Sequence, residues 1–183
     1  MAHIHTEPGQ IDHTVTGFII RVDTAEPELL LHLHKKYGVL LPPGGHIELD
    51  ETPWAAMAHE IQEEAGYEFD QLQVMQPELR ISSLIGAVTH PQPFRVSTHE
   101  AATDHYHSDL AYLFIAHDEP KHAPAKGEST DIRWVNRTEL AALTAEQMYP
   151  DAQQSAVQAF DHFLREWQPV PAASFSISKI AES

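Results

Sequence analysis

Residues 41–67 read LPPGGHIELDETPWAAMAHEIQEEAGY, and this stretch constrains the fold more than any other. Pro42 and Pro43 lack amide hydrogens, and glycines such as Gly44 and Gly45 can take backbone angles closed to other residues, so the chain is expected to break sharply here. The next segment, residues 52–66, is punctuated as a helix. Thr52 is a good N-cap and Pro53 suits the first helical position. Trp54, Met57, Ala58, Ile61 and Ala65 recur at helical spacing and form an apolar stripe, and Gly66 supplies the stop. A sharp turn therefore feeds a helix that must lay one face on something apolar.

The partner for that face is a sheet. Residues 13–22 (HTVTGFIIRV) are rich in β-branched and apolar side chains and are predicted as a strand, with a turn at 23–28 and a hairpin partner at 29–36. Further strands are expected at 79–89, 94–98, 106–116 and 132–136. A last helix is expected at about 152–167, where Ala156, Ala159, Phe160, Phe163, Leu164 and Trp167 share a face. Mixed strands with helices between and after them indicate an α/β/α sandwich with a mixed sheet, in the α/β class, and not a doubly wound parallel sheet. No P-loop or dinucleotide fingerprint follows any strand. We expect a single domain over residues 1–168 and a loosely ordered C-terminal tail over 169–183.

The chain has 183 residues, of which 42% are apolar, enough for one domain with a sizeable core. No apolar run reaches the length of a membrane span, and the first residues resemble no signal peptide. There are no cysteines, which excludes a disulfide framework and a thiolate zinc site and points to the cytoplasm. The formal net charge of −16 argues against a nucleic-acid backbone or an anionic membrane as partner. It would also repel a phosphorylated substrate unless a divalent cation came with it.

Glu60, Glu63 and Glu64 stand at i, i+3 and i+4 and share the helix face opposite the Trp54–Met57–Ile61 stripe. Like charges at these spacings cost roughly 0.2–0.5 kcal/mol per pair, and the helix carries no lysine or arginine to offset them. A solvated acidic face is one reading. The other is a site for a hard cation, because Mg²⁺ takes oxygen ligands from a few carboxylates and substrate phosphates. The glycine turn could present a backbone carbonyl to the same cluster, and Glu51 can fold back toward the turn.

The spacing carries a family resemblance. Gly45 is followed after five residues by Glu51, and seven residues later come His59-Glu60-Ile61-Gln62-Glu63-Glu64-Ala65-Gly66-Tyr67. This resembles the Nudix box, G-x5-E-x7-R-E-U-x-E-E-x-G-U with U aliphatic, over residues 45–67. Two positions depart from it: His59 replaces arginine and Tyr67 replaces an aliphatic residue. The flanking elements are compatible with the family from about residue 14 to 167.

The resemblance implies a metal-dependent pyrophosphohydrolase that cleaves the pyrophosphate link of a nucleoside diphosphate joined to another group, with Mg²⁺ or Mn²⁺ as cofactor. By position, Glu63 and Glu64 correspond to metal ligands, and Glu60 to a ligand or general base. The Gly44 or Gly45 carbonyl would complete the shell, and Glu51 would brace the turn. His59 would take over the arginine's work of holding Glu60. The family often adds an acidic residue from outside the box. Glu128, in a glycine-containing loop before Trp134, is the first candidate as a metal ligand, followed by Asp118 and Asp131.

Other residues invite weaker readings. His105, His107 and Asp109 alternate along one strand face and could hold a second metal or line a polar sheet face. His32 and His34 share that pattern, and His46 sits in the glycine turn. Arg80, Arg95, Lys35 and Lys36 are candidate phosphate contacts. Tyr149 and Asp151 could meet a base, or simply open the last helix. A non-catalytic Nudix-like nucleotide sensor is the alternative, though such a sensor has no need of the carboxylates. An isomerase of the isopentenyl diphosphate type is remote, because that chemistry needs a cysteine. The sequence leaves oligomeric state open, a homodimer included, and does not choose among nucleotide derivatives.

Overall fold

The computed structural model describes residues 4–5, 7–81 and 83–179. Its centre is a parallel pair, β1 (Ile11–Arg21) and β7 (His105–Ala116), in continuous register from Ile11↔Tyr106 to Arg21↔Ala116. Strand alternation splits their side chains between two faces. Val15, Ile19, Tyr112 and Phe114 enter one core, while Phe18, Ile20, Leu113 and Ile115 enter the other. Burial on both faces is what parallel strands require, and it explains why this sequence reads as nearly continuous apolar runs.

The remaining pairings of this sheet are antiparallel, which makes it mixed as expected. Its path runs from β3 (Leu40–Leu41) through β2 (Glu28–Leu33), β1, β7 and β5 (Leu72–Gln76) to β9 (Gln168–Pro171). β4 (Gly44–His46) pairs with β1, β6 (Arg95–Ala102) with β7, and β8 (Ile132–Asn136) with β2. Helix α1 (Pro53–Glu60) continues as a π-helical turn over Ile61–Ala65 and covers the first face with Trp54, Met57 and Ile61. Helix α2 (Arg137–Ala142) follows β8. On the second face, α3 (Pro150–Gln158) runs through a π-helical turn, Ala159–Phe163, into α4 (Leu164–Glu166) and packs Ala156, Ala159 and Phe160. The result is an α/β/α sandwich. No described helix is long and apolar enough to cross a membrane.

The expected caps of α1 are present. The Ala55 amide donates to Thr52 Oγ1 over 3.1 Å, Pro53 opens the helix, and Gly66 ends it at a φ of 72°. Gly66 is also required sterically, because a Cβ there would strike the carbonyl of His122.

Two expectations are corrected, and one element comes unannounced. Among the described residues of 79–89 there is no strand beyond a single bridge between Leu84 and Ala87, and Leu79, Ile81 and Ile85 are exposed. The strand in this part of the chain is β5, earlier, where LQVMQ meets both β7 and β9. The tail is not loose at its start: β9 joins the sheet, Ala172 is buried, and Phe175 packs near Trp54. Pro169 and Pro171 argue against a strand in sequence, but prolines are tolerated at a sheet edge, which is where β9 lies. Finally, α2 is a helix that the apolar pattern does not announce, although Asn136 and Glu139 form a reciprocal capping box around its start.

Candidate metal and catalytic site

The site begins with β4. Gly44 pairs with Thr16 of β1 so closely that a Cβ would run into the Val15 carbonyl oxygen, and only glycine can stand there. This approach carries the Gly44 amide to the π-helical turn that continues α1, where it donates to Glu64 Oε2 over 2.8 Å. Gly45 is taken up in pairing with Val15.

Glu60 and Glu64 lie one helical turn apart, and each is only 6% exposed. Glu63 is half-exposed beside them. Burial pushes the Glu64 carboxyl up to about 8. The Gly44 amide opposes the shift, while Glu60, Glu128 and Glu63 add to it. Burial likewise raises Glu60 to about 7, with His59 opposing and Glu63, Glu128 and Glu51 reinforcing. Near neutral pH a cation that joined them would favour the ionised form of both, so the donor set suits a hard divalent ion.

Glu128 belongs to this electrostatic cluster, and backbone ties explain how its loop gets there. The Ala125 amide donates to the Glu63 carbonyl (2.7 Å), His122 to Gly66 (3.1 Å), and Glu128 to Ala125 (3.0 Å). From the other side, Lys35 Nζ donates to the Gly127 carbonyl over 2.5 Å. A cleft of about 200 Å³ opens here, lined by His32, His34, Lys35, Lys36, Glu128 and Ser129. His32 is buried with Nε2 3.5 Å from Glu64 Oε2, and burial lowers its pKa to about 4, so it stays neutral. His34 stacks on Tyr37 with ring centroids 4.5 Å apart, and Tyr149 stands edge-on to Tyr37 at 6.4 Å.

His59 does not bond to Glu60 as expected. Its Nε2 is 3.1 Å from Glu63, one turn on, and its Nδ1 is 3.5 Å from Glu51. Partial burial opposes charging the ring, but Glu63, Glu51 and Glu60 together raise its pKa. Glu51 closes a turn with Glu48, whose carbonyl accepts from its amide, in keeping with a bracing role. The Tyr67 departure has a clear reason: its ring is buried, and its hydroxyl reaches the Asp118 carbonyl over 2.9 Å.

The other candidates fall elsewhere. Asp118 is exposed and offers its carbonyl to Tyr67, and Asp131 is exposed and paired with Arg133. Arg95 binds Asp109 and Ser155 on the α3 face, and Arg80 donates to Pro77 in an outer loop. Asp151 lies in the first turn of α3, which Tyr149 precedes as N-cap. His46, His105 and His107 come together, but with Asp12 rather than with the carboxylates of α1. Asp12 gives no signal in sequence, because its neighbours are set by the pairing of strands far apart in the chain.

A family model described as the NUDIX domain matches residues 12–158. A NUDIX-family hydrolase from Clostridium perfringens is 27% identical, with a TM-score of 0.64 and coverage of 82% of this chain and 96% of that one. An Ap4A hydrolase from C. elegans shares the fold at 20% identity, with a TM-score of 0.61 and coverage of 85% and 99%. So does the NUDIX domain of Shewanella oneidensis NrtR, solved with ADP ribose, at 13% identity, with a TM-score of 0.58 and coverage of 83% and 88%. No curated protein matches the chain.

Proposed function

The chain belongs to the Nudix family, and from that premise we propose that it hydrolyses the pyrophosphate link of a nucleoside diphosphate joined to a further group, with Mg²⁺ or Mn²⁺ held by Glu60, Glu63, Glu64 and Glu128. The observation that carries this reading is the burial of Glu60 and Glu64 together against the Gly44 amide, within the field of Glu63 and Glu128. When bound, the cation would neutralise the carboxylates and polarise the phosphoryl oxygens.

The protein's own groups supply the rest. Glu64 is oriented by the Gly44 amide and by neutral His32 beside it. Glu60, buried beside Glu64, would take the proton of an attacking water where it does not itself hold the cation. His59 bridges Glu63 and Glu51 and so stiffens the outer side of the cluster. In the adjoining cleft, Lys36 offers positive charge for phosphate and His34 a ring for a base, with Tyr37 and Tyr149 packed in series behind His34. Stacking on such rings contributes about 1–3 kcal/mol per base and favours no particular one. Because an Ap4A hydrolase and an ADP ribose-binding domain share this fold, adenine nucleotide derivatives are the first substrates to try. A non-catalytic sensor has no observation in its favour, since every carboxylate of the box is kept.

The test is hydrolysis of ADP ribose, a dinucleoside tetraphosphate and the nucleoside triphosphates in millimolar Mg²⁺ or Mn²⁺, with products resolved by chromatography. Turnover of at least one compound, abolished in Glu64→Gln, is the expected result. Binding without turnover across the panel, or turnover that survives Glu64→Gln, overturns it.

A further inference from the structure

A second polar cluster lies on the opposite face of the sheet. By strand alternation, Asp12 shares its side of β1 with Phe18 and Ile20, and His105 and His107 share their side of β7 with Leu113 and Ile115. This is the face covered by α3, not the one covered by α1. His46, opposite Thr14 in the β4–β1 pairing, completes the group.

We propose that Asp12, His46, His105 and His107 form a second cation site, selective for a first-row transition ion such as Zn²⁺ over Mg²⁺. Three separations suit such an ion, with His46 adjoining the Asp12–His105–His107 group through Asp12 and His107. His46 Nε2 is 3.2 Å from His107 Nε2 and 3.4 Å from Asp12 Oδ2, and His105 Nε2 is 3.2 Å from the same oxygen. One ligand atom each from Asp12, His105 and His107 falls within a mutual 4.8 Å. A tetrahedral site with bonds of about 2.0–2.1 Å places neighbouring ligand atoms roughly 3.3 Å apart, close to the three edges measured here. Imidazole nitrogens suit zinc, cobalt and nickel, whereas Mg²⁺ takes oxygen.

The surroundings are those of a supported ligand set. The Ile4 and His5 amides donate to the two Asp12 oxygens over 3.0 and 2.9 Å, and His5 Nδ1 lies 2.7 Å from Oδ1. Outer partners of this kind orient ligating carboxylates. Asp12 is fully buried beneath these bonds, which fix its carboxylate toward the imidazoles. Asp109, next along the face, is excluded because Thr14, Thr16 and Arg95 occupy its oxygens.

The site joins β1, β4 and β7, and its β4 ligand lies two residues beyond Gly44, the residue that meets Glu64. Its role is structural: it pins the short strand on which the carboxylate site leans. The proposal stands on the cluster itself and not on the hydrolase reading.

The test uses the untagged full chain, stripped with a chelator and titrated with Co²⁺ in millimolar Mg²⁺, with visible absorption as the readout. Four-coordinate Co²⁺ absorbs intensely, and six-coordinate Co²⁺ in an oxygen site absorbs weakly. One equivalent giving the intense band, displaced by one equivalent of Zn²⁺, kept in Glu64→Gln and lost in His107→Gln or His46→Gln, is the expected result. A weak spectrum, displacement by Mg²⁺, or a band that survives both histidine substitutions overturns the proposal. If a histidine variant does not fold, the wild-type spectrum and its competition by Mg²⁺ and Zn²⁺ decide.

Discussion

The carboxylates of the α1 face and the histidines of the α3 face are both buried polar clusters, yet they are put together differently. Glu60, Glu63 and Glu64 come from five consecutive helical residues, so their proximity follows from helix geometry alone. Asp12, His46, His105 and His107 come from three strands, and residues far apart in the chain meet only because β1 and β7 pair in one register. The two also differ in what they lack. The carboxylates repel one another, and Glu60 and Glu64 are driven toward protonation. In the other cluster a single anion, Asp12, is surrounded by imidazoles that can share protons with it. One cluster calls for a hard cation, and the other is a nitrogen-rich, borderline donor set with hydrogen bonds of its own.

The sharpest way to break this comparison is to change one cluster and read both. Glu64→Gln should lower kcat by more than about a hundredfold, the upper end seen when outer-shell partners of a metal are lost, while leaving the Co²⁺ spectrum intact. Steady-state rates and absorption on the same preparation check this. Simultaneous loss of both would show that the clusters are not independent.

The next effect is on stability. Glu60 and Glu64 have folded pKa values of about 7 and about 8 against an ordinary 4.5, so the folded state holds their protons more tightly than the unfolded chain does. Their contribution is therefore fully present below about pH 4.5 and is lost as pH rises through 7 to 8. At about 1.4 kcal/mol per unit, the pair costs on the order of several kcal/mol. Metal-free protein should thus lose Tm between pH 5 and 8.5 more steeply than Glu60→Gln/Glu64→Gln, and saturating Mg²⁺ should flatten the wild-type curve. Parallel curves for the two proteins would show that the carboxylates carry no such strain.

Gly44→Ala probes the strand that serves both clusters. The added methyl must push β4 away from the Val15 carbonyl, at a cost of about 1–3 kcal/mol and several degrees of Tm, and both hydrolysis and Co²⁺ binding should weaken. Unchanged stability would mean that β4 yields easily. The smallest expected effect is that of Tyr67→Phe, which removes one hydrogen bond to Asp118 and about 1 kcal/mol, or roughly 2–4 °C. Thermal melts and kcat measure it, and a fall in kcat would show that the loop carrying Glu128 depends on this anchor.

Legibility in the sequence divides along the same line. The N-cap at Thr52, the stop at Gly66 and the shared face of the carboxylates are local patterns, and the structure has each of them. Glu128 is reachable because the loop holding it precedes a recognisable strand. The partner of His59 differs from the expected one because arginine's usual neighbour is a poor guide, whereas the i, i+4 spacing favours Glu63. Apolar content in 79–89 suggests a strand, but a strand needs a partner, and β5 and β6 already occupy the free edge of β7. Asp12 cannot be found at all, since nothing near it in sequence announces a partner so far along the chain.

The prolines of β9 have a consequence for how the molecule behaves in a crowd. A sheet edge with unspent amide and carbonyl groups is a template on which a neighbouring chain can add a strand. β9 covers the edge of β5 at Gln73–Gln76 and itself becomes the border. It is four residues long, and two of them have no amide to donate. The same residues that hide this strand from a sequence reading make it a poor surface for further growth, so at this border the sheet is guarded against edge-to-edge aggregation.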